Sequence, residues 1–258
     1  MKRGHRPVRK RLRRGAYMLP SLLTIGNIMM GFYALICGMR GDFQRAALLI
    51  FAAALLDALD GRLARLTGTD SAFGREFDSL ADVLTFGVTP AVLTYMWGLH
   101  DLGRIGWLVP LCYLVCTAGR LARFNVQTNP VDNRYFVGLP APAAACALGS
   151  ILFFAPTGPY WRWGALILVL ALLFLGGLML STFRYWSAKR IDLRQRWSYR
   201  MIFPAAGLLL VVSYHPPAFF LAVAVLYTFS APVLWLRGRW FPQAARQART
   251  SPAGEADN

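Results

Sequence analysis

Apolar residues gather along this chain into long runs separated by short polar stretches. The runs lie at roughly 20–39, 45–66, 79–99, 104–124, 140–156, 163–184, 201–215 and 217–236. A helix rises about 1.5 Å per residue, so about 20 apolar residues cross the ~30 Å hydrocarbon core of a bilayer. The pattern predicts an all-α, polytopic membrane helix bundle of about eight transmembrane helices. The seventh run is the shortest, and the turn Tyr214-His215-Pro216-Pro217 divides it from the eighth.

Composition agrees. With 56% hydrophobic residues, 14% aromatics and a mean hydropathy of +0.42, the 258 residues do not describe one soluble domain. The net charge of +16 raises nucleic acid as a partner, but the basic residues fall between and around the apolar runs. That distribution fits anionic lipid headgroups and positive-inside topology better than a nucleic-acid surface. It also sets orientation. If the N-terminal arm faces the cytosol, the inward segments hold 24 of the 28 Lys and Arg, and the outward turns hold Arg40, Arg45, Arg104 and Arg162. Both termini are then cytosolic, in a multi-pass protein of the cell (inner) membrane. No small-residue cleavage site follows the first run, so the arm reads as uncleaved. Cys37, Cys112, Cys116 and Cys146 lie in apolar stretches without CxxC spacing, and the three histidines are scattered.

Against this background the stretch 57–82, DALDGRLARLTGTDSAFGREFDSLAD, stands out. Asp57, Asp60/Gly61 and Ala64/Arg65 recur at helical spacing on one face, and Asp78 and Asp82 share a face of the next helix. Two antiparallel helices would bring the four carboxylates into one pocket. Unpaired at membrane depth they would cost on the order of 10 kcal/mol, so a positive charge must offset them. Oxygen ligands without His or Cys suit Mg²⁺, Mn²⁺ or Ca²⁺ rather than zinc. Gly61 permits close approach of a ligand to the backbone, Ala64 is small, and Arg65 can grip phosphate oxygens bidentately. Because the pocket opens at the cytosolic ends of its helices, it suits a substrate with a water-soluble head and a lipid tail.

The pattern DxxDGxxARx₈GxxxDxxxD resembles the signature of the CDP-alcohol phosphatidyltransferase family, with every motif position matched. The resemblance implies that Asp57, Asp60, Asp78 and Asp82 hold two divalent cations, Mg²⁺ or Mn²⁺, on the pyrophosphate of CDP-diacylglycerol. It implies that Gly61, Ala64, Arg65 and Gly74 line the CMP portion, and that Asp82 is the base for the acceptor hydroxyl. Within the family the chain is most similar to the membrane-embedded phosphatidylserine synthases. The stretches LPSLLTIGN (19–27), DSLADVLTFGVTPA (78–91), GRLARFN (119–125), YFVGLPAPAAA (135–145) and FRYWSAK (183–189) carry that likeness. The family core has six transmembrane helices. The implied organisation is a basic arm at 1–18, the core at 19–190, an additional hairpin at 191–236 and a polar tail at 237–258.

Serine as acceptor needs a cation for its carboxylate and an acceptor for its ammonium. Arg120, Arg123, Asn125 and Arg184, at cytosolic helix ends, are the candidates, with Asn27 held in reserve. The same chemistry with glycerol 3-phosphate, an inositol phosphate or choline is an alternative. Cation-coupled transport is a second one, although no acids continue a path through the other spans. Dimers are common in the resembled family, so a homodimer is a possible partner state, beside membrane lipids and the substrates.

Overall fold

A computed structural model describes residues 8–67, 72–126, 135–158, 162–186 and 213–240; side chains are described within 21–63, 72–126, 138–158, 163–183 and 213–236, and at Tyr185. The expected run at 201–215 lies outside the described residues except at 213–215, as do 187–200 and the tail beyond residue 240.

The described chain is almost entirely helical. Helix α1 (Val8–Met39) and α2 (Phe43–Thr67) form a hairpin. Its turn uses Gly41 at φ +78°, and Asp42 caps α2 by accepting the amide of Arg45 at 3.0 Å. Helix α1 starts twelve residues before the expected apolar run, because Lys, Arg and Leu are good helix formers whether or not they enter lipid. Next come α3 (Ala72–Asp82) and α4 (Thr89–Thr94), parts of one continuous rod that runs to Leu102. Between them the backbone widens into a π-helical turn over Val83–Val88, and a second π turn covers Tyr95–Leu99. Then follow α5 (Arg104–Val126), α6 (Ala141–Phe154), α7 (Arg162–Leu180) and α8 (Pro216–Trp240).

Five of these helical stretches are long and apolar enough to cross a membrane: Ser21–Met39, Ala72–Leu102, Arg104–Val126, Trp163–Leu180 and Pro216–Leu236. The chain is a multi-pass membrane protein. Large apolar side chains are exposed along several helices, Leu55, Leu80, Trp163 and Leu226 among them, as a lipid-facing surface requires. Helix α2 is as long but carries Arg45, Asp57, Asp60, Arg62 and Arg65, so it is less apolar. Helix α6 has only 14 residues, most of them buried, and packs against α2 and α8 rather than lipid.

The all-α expectation misses one small feature. Strand β1 (Tyr135–Val137) pairs antiparallel with β2 (Arg184–Trp186), joining the segments that leave α5 and α7. Gly138 follows at φ +80°, donating its amide to the Phe183 carbonyl at 2.8 Å, and Tyr185 donates its hydroxyl to the Thr228 carbonyl of α8 at 3.0 Å. Helix α8 is further fixed by Phe220, whose ring stacks on Phe51 of α2 at 4.7 Å. The C-terminal helix is thus packed into the bundle.

The rod of α3 and α4 is held on two sides. Thr85 and Thr89 donate their hydroxyls to the carbonyls of Asn27 and Gly31 on α1, at 3.3 and 3.2 Å. On the other side Pro90 has no N–H to give the carbonyl four residues earlier. That carbonyl, of Phe86, accepts the Tyr113 hydroxyl of α5 at 3.0 Å instead.

Candidate metal centre

Helix α2 runs toward the end of the bundle at which α3 begins, so the last turns of one meet the first turns of the other. Asp57 and Asp60 are one turn apart on α2, and Asp78 projects from α3. One carboxylate oxygen of each lies within 4.8 Å of the others. Asp60 is buried, while Asp57 and Asp78 are half-buried. Asp82, one turn further along α3, is buried at 8% exposure and interacts electrostatically with Asp57, Asp78 and Asp60. The expected four-carboxylate pocket is therefore a close group of three with the fourth beside it.

These oxygens fit a hard divalent cation. Three carboxylates this close repel one another, and Asp78 Oδ1 and Asp82 Oδ1 are buried with no hydrogen-bond partner. A hard divalent cation takes oxygen ligands of this kind and would neutralise the group. Asp60 is oriented from outside: Thr24 of α1, itself buried, donates its hydroxyl to Asp60 Oδ2 at 3.2 Å. Sequence reasoning missed Thr24, although its threonine lies inside the LPSLLTIGN stretch.

The remaining predicted residues separate by environment. Gly61 follows Asp60 directly, half-buried, and Gly74 lies in the first turn of α3. Ala64 and Arg65 continue α2, with side chains outside the described set. Arg120 of α5 is half-buried and its charge acts on Asp82 and Asp57, yet its Nε has no hydrogen-bond partner. Arg123 is committed elsewhere: it donates to the Leu180 carbonyl at the end of α7 at 3.4 Å. Asn125 ties the end of α5 to α3, donating to Ser79 Oγ at 3.0 Å and Glu76 Oε2 at 3.4 Å. Arg184 sits in β2 opposite Val137, its side chain also outside the described set. Asn27 is fully buried on α1, and neither its amide nitrogen nor its oxygen has a partner.

Residues 17–176 match the family model described as CDP-alcohol phosphatidyltransferase, more than half of the chain. The chain is 35% identical over 221 residues to a CDP-diacylglycerol–serine O-phosphatidyltransferase of Helicobacter pylori, covering 85% of this chain and 92% of that one. It is 38% identical over 135 residues to the enzyme of the same name from Bacillus subtilis, covering 52% of this chain and 75% of that one. It is also 38% identical over 169 residues to an archaetidylserine synthase of Methanothermobacter thermautotrophicus, 65% of this chain and 69% of that one.

Proposed function

The chain belongs to the CDP-alcohol phosphatidyltransferase family, and we propose that it transfers the phosphatidyl group of CDP-diacylglycerol to the hydroxyl of L-serine, giving phosphatidylserine and CMP. The observation that carries this reading is the gathering of Asp57, Asp60 and Asp78 within 4.8 Å, beside buried Asp82, in a chain whose relatives are named for the serine reaction.

Asp57, Asp60, Asp78 and Asp82 would hold the divalent metal, two ions of Mg²⁺ or Mn²⁺. Bound there, the cations supply neutralisation of the pyrophosphate charge and polarisation of the phosphorus centre. The chain's own residues do the rest. Gly61 and Gly74, without side chains, let the cytidine nucleotide approach the backbone, and Ala64 leaves room on the same face. Arg65 pairs with phosphate oxygens. Asp82 accepts the proton of the serine hydroxyl as its oxygen attacks the lipid-side phosphorus; the bond to CMP breaks, and CMP leaves with the electron pair. Asn27, Arg120, Arg123, Asn125 and Arg184 are the candidates for holding the acceptor or the lipid phosphate.

The reading places the site on the cytoplasmic side of the cell membrane in a chain of eight spans. Support comes from the division of 24 basic residues against 4, which puts the ends of α2 and α3 inward. CDP-diacylglycerol then enters from the bilayer and serine from the cytosol. The test is an assay of purified protein with CDP-diacylglycerol and a panel of acceptors. L-Serine should be consumed faster than glycerol 3-phosphate, an inositol phosphate or choline. Faster use of glycerol 3-phosphate would overturn the acceptor and leave the metal chemistry standing.

A further inference from the structure

Among the described residues, the buried side-chain nitrogen and oxygen atoms without a hydrogen-bond partner belong to four residues. They are Asn27 (Nδ2 and Oδ1), Asp78 (Oδ1), Asp82 (Oδ1) and Arg120 (Nε). Buried polar groups are nearly always paired, so unpaired ones call for an explanation. Asp78 and Asp82 have theirs in the metal. Asn27 and Arg120 do not, and each lies on a helix packed against the rod that carries Asp82.

Their placement follows from the helix contacts. The Asn27 carbonyl accepts the hydroxyl of Thr85, which is three residues beyond Asp82 on the rod. One turn before Asn27, Thr24 reaches Asp60. Side chains lean toward the start of their helix, so the Asn27 carboxamide tilts toward the level of Asp60 and Asp82. On the opposite side, α5 is keyed to the rod by the Tyr113–Phe86 hydrogen bond. A Cβ built on Gly87 would lie 3.4 Å from Thr117 Cγ2. The two helices run in opposite directions, so three residues past Thr117 brings Arg120 level with Leu84, two residues from Asp82. The charge of Arg120 acts on Asp82 and Asp57, but no ion pair to it is present among the described residues.

We propose that Asn27 and Arg120 form the amino-acid acceptor subsite, with Arg120 holding the carboxylate and the Asn27 carboxamide oxygen holding the ammonium. This rests on the phosphatidyl-transfer reading above and selects two of its five acceptor candidates. The donor and acceptor complement supports it. Arg120 offers only donors, Asn27 offers both kinds, and Asp82 offers an acceptor for the hydroxyl. A 2-amino-3-hydroxy acid presents the matching set. Choline has neither N–H donors nor a carboxylate, and a phosphate monoester would place two negative charges against one arginine. Arg123 turns one donor to the Leu180 carbonyl, and Asn125 gives its amide to Ser79 and Glu76.

The test uses the full chain in detergent micelles with Mn²⁺ and CDP-diacylglycerol. Variants Asn27→Ala, Arg120→Gln and Arg120→Lys are compared with Arg104→Gln, at the exposed start of α5, for the KM of L-serine and of CDP-diacylglycerol. A metal-dependent thermal shift by CDP-diacylglycerol reports that each variant is folded. Arg120→Gln should raise the serine KM roughly 10–100-fold and Asn27→Ala about 3–30-fold, losses typical of a charged and a weaker hydrogen bond. Arg120→Lys keeps the charge without the planar fork, so its rise should be smaller than that of Arg120→Gln. The CDP-diacylglycerol KM should stay within about threefold throughout, and Arg104→Gln should leave the serine KM unchanged. Serine KM unchanged in folded Arg120→Gln and Asn27→Ala would overturn the subsite, as would a rise confined to CDP-diacylglycerol. A wild type that ignores serine altogether would instead sink the acceptor reading on which the subsite depends.

Discussion

Thr24 donates its hydroxyl to Asp60 Oδ2 across 3.2 Å, so α1 and α2 meet at the carboxylate cluster through a buried hydrogen bond. The bond turns one oxygen of Asp60 toward α1 and leaves the other for the cluster. Partners of this kind, one step removed from the ligand sphere, typically carry 10–100-fold in metal affinity. Thr24→Val keeps the shape and removes the donor. It should raise the Mn²⁺ concentration for half-maximal activity about 10–100-fold. Thr24→Ser should restore most of the loss. An unchanged metal requirement in Thr24→Val would mean that Asp60 is oriented by something else.

The crossing of α1 with the rod depends on Gly31. A Cβ there would lie 2.8 Å from Thr85 Oγ1 and 3.1 Å from the Thr85 Cα, closer than packed atoms allow. The rod would have to shift, and Asp82 lies one turn from Thr85. Gly31→Ala should therefore lower the thermal midpoint, with a cost of about 1–3 kcal/mol, and reduce kcat. Gly177→Ala is the control, because a Cβ at Gly177 meets nothing within 4 Å. Equal behaviour of the two variants would contradict the close crossing.

Tyr113 should be worth more to this fold than its ring. Its hydroxyl donates to the Phe86 carbonyl, to which Pro90, four residues on, has no N–H to give. Tyr113→Phe should cost about 0.6–2 kcal/mol, the range of interhelical hydrogen bonds in membranes. Pro90→Ala restores the missing N–H, so in that background Tyr113→Phe should cost clearly less. A double-mutant cycle in unfolding free energy reads the difference, and strict additivity would count against the pairing.

The motif was legible because its information is residue type at helical spacing, which survives without knowledge of the fold. Asp57, Asp60 and Asp78 meet as that spacing predicts, and five of the expected spans appear as apolar helices. Other features depend on distant geometry. Arg123 reads as a free cation in the sequence, but the end of α7 lands beside it, 57 residues away. The strand pair Tyr135–Val137 with Arg184–Trp186 is only three residues long on each side, too short for a hydropathy window to register. The π turn after Asp82 lies between Pro90 and side-chain hydrogen bonds to α1 and α5, none of which a periodicity count contains. Asn27 sat in a recognisable stretch, yet its burial without a partner is visible only once α1 is packed.

Orientation can be read with reporters. Fusions after residues 41, 101, 159 and 216 should report outside, and fusions after 70, 130, 193 and 245 should report inside, following the basic residues in each segment. A fusion after residue 70 that reports outside would put the carboxylate cluster in the wrong compartment for a nucleotide-activated lipid.

Turnover by the carboxylate cluster should depend on a divalent metal. Purified wild type and Asp78→Asn are compared for release of CMP from CDP-diacylglycerol and L-serine, with added Mn²⁺ and with a chelator. The wild type should release equal amounts of CMP and phosphatidylserine, and the chelator should abolish both. Asp78→Asn should show at least a roughly 100-fold loss, about 3 kcal/mol of transition-state stabilisation. A folded Asp78→Asn protein that turns over at close to the wild-type rate without added metal would contradict that dependence.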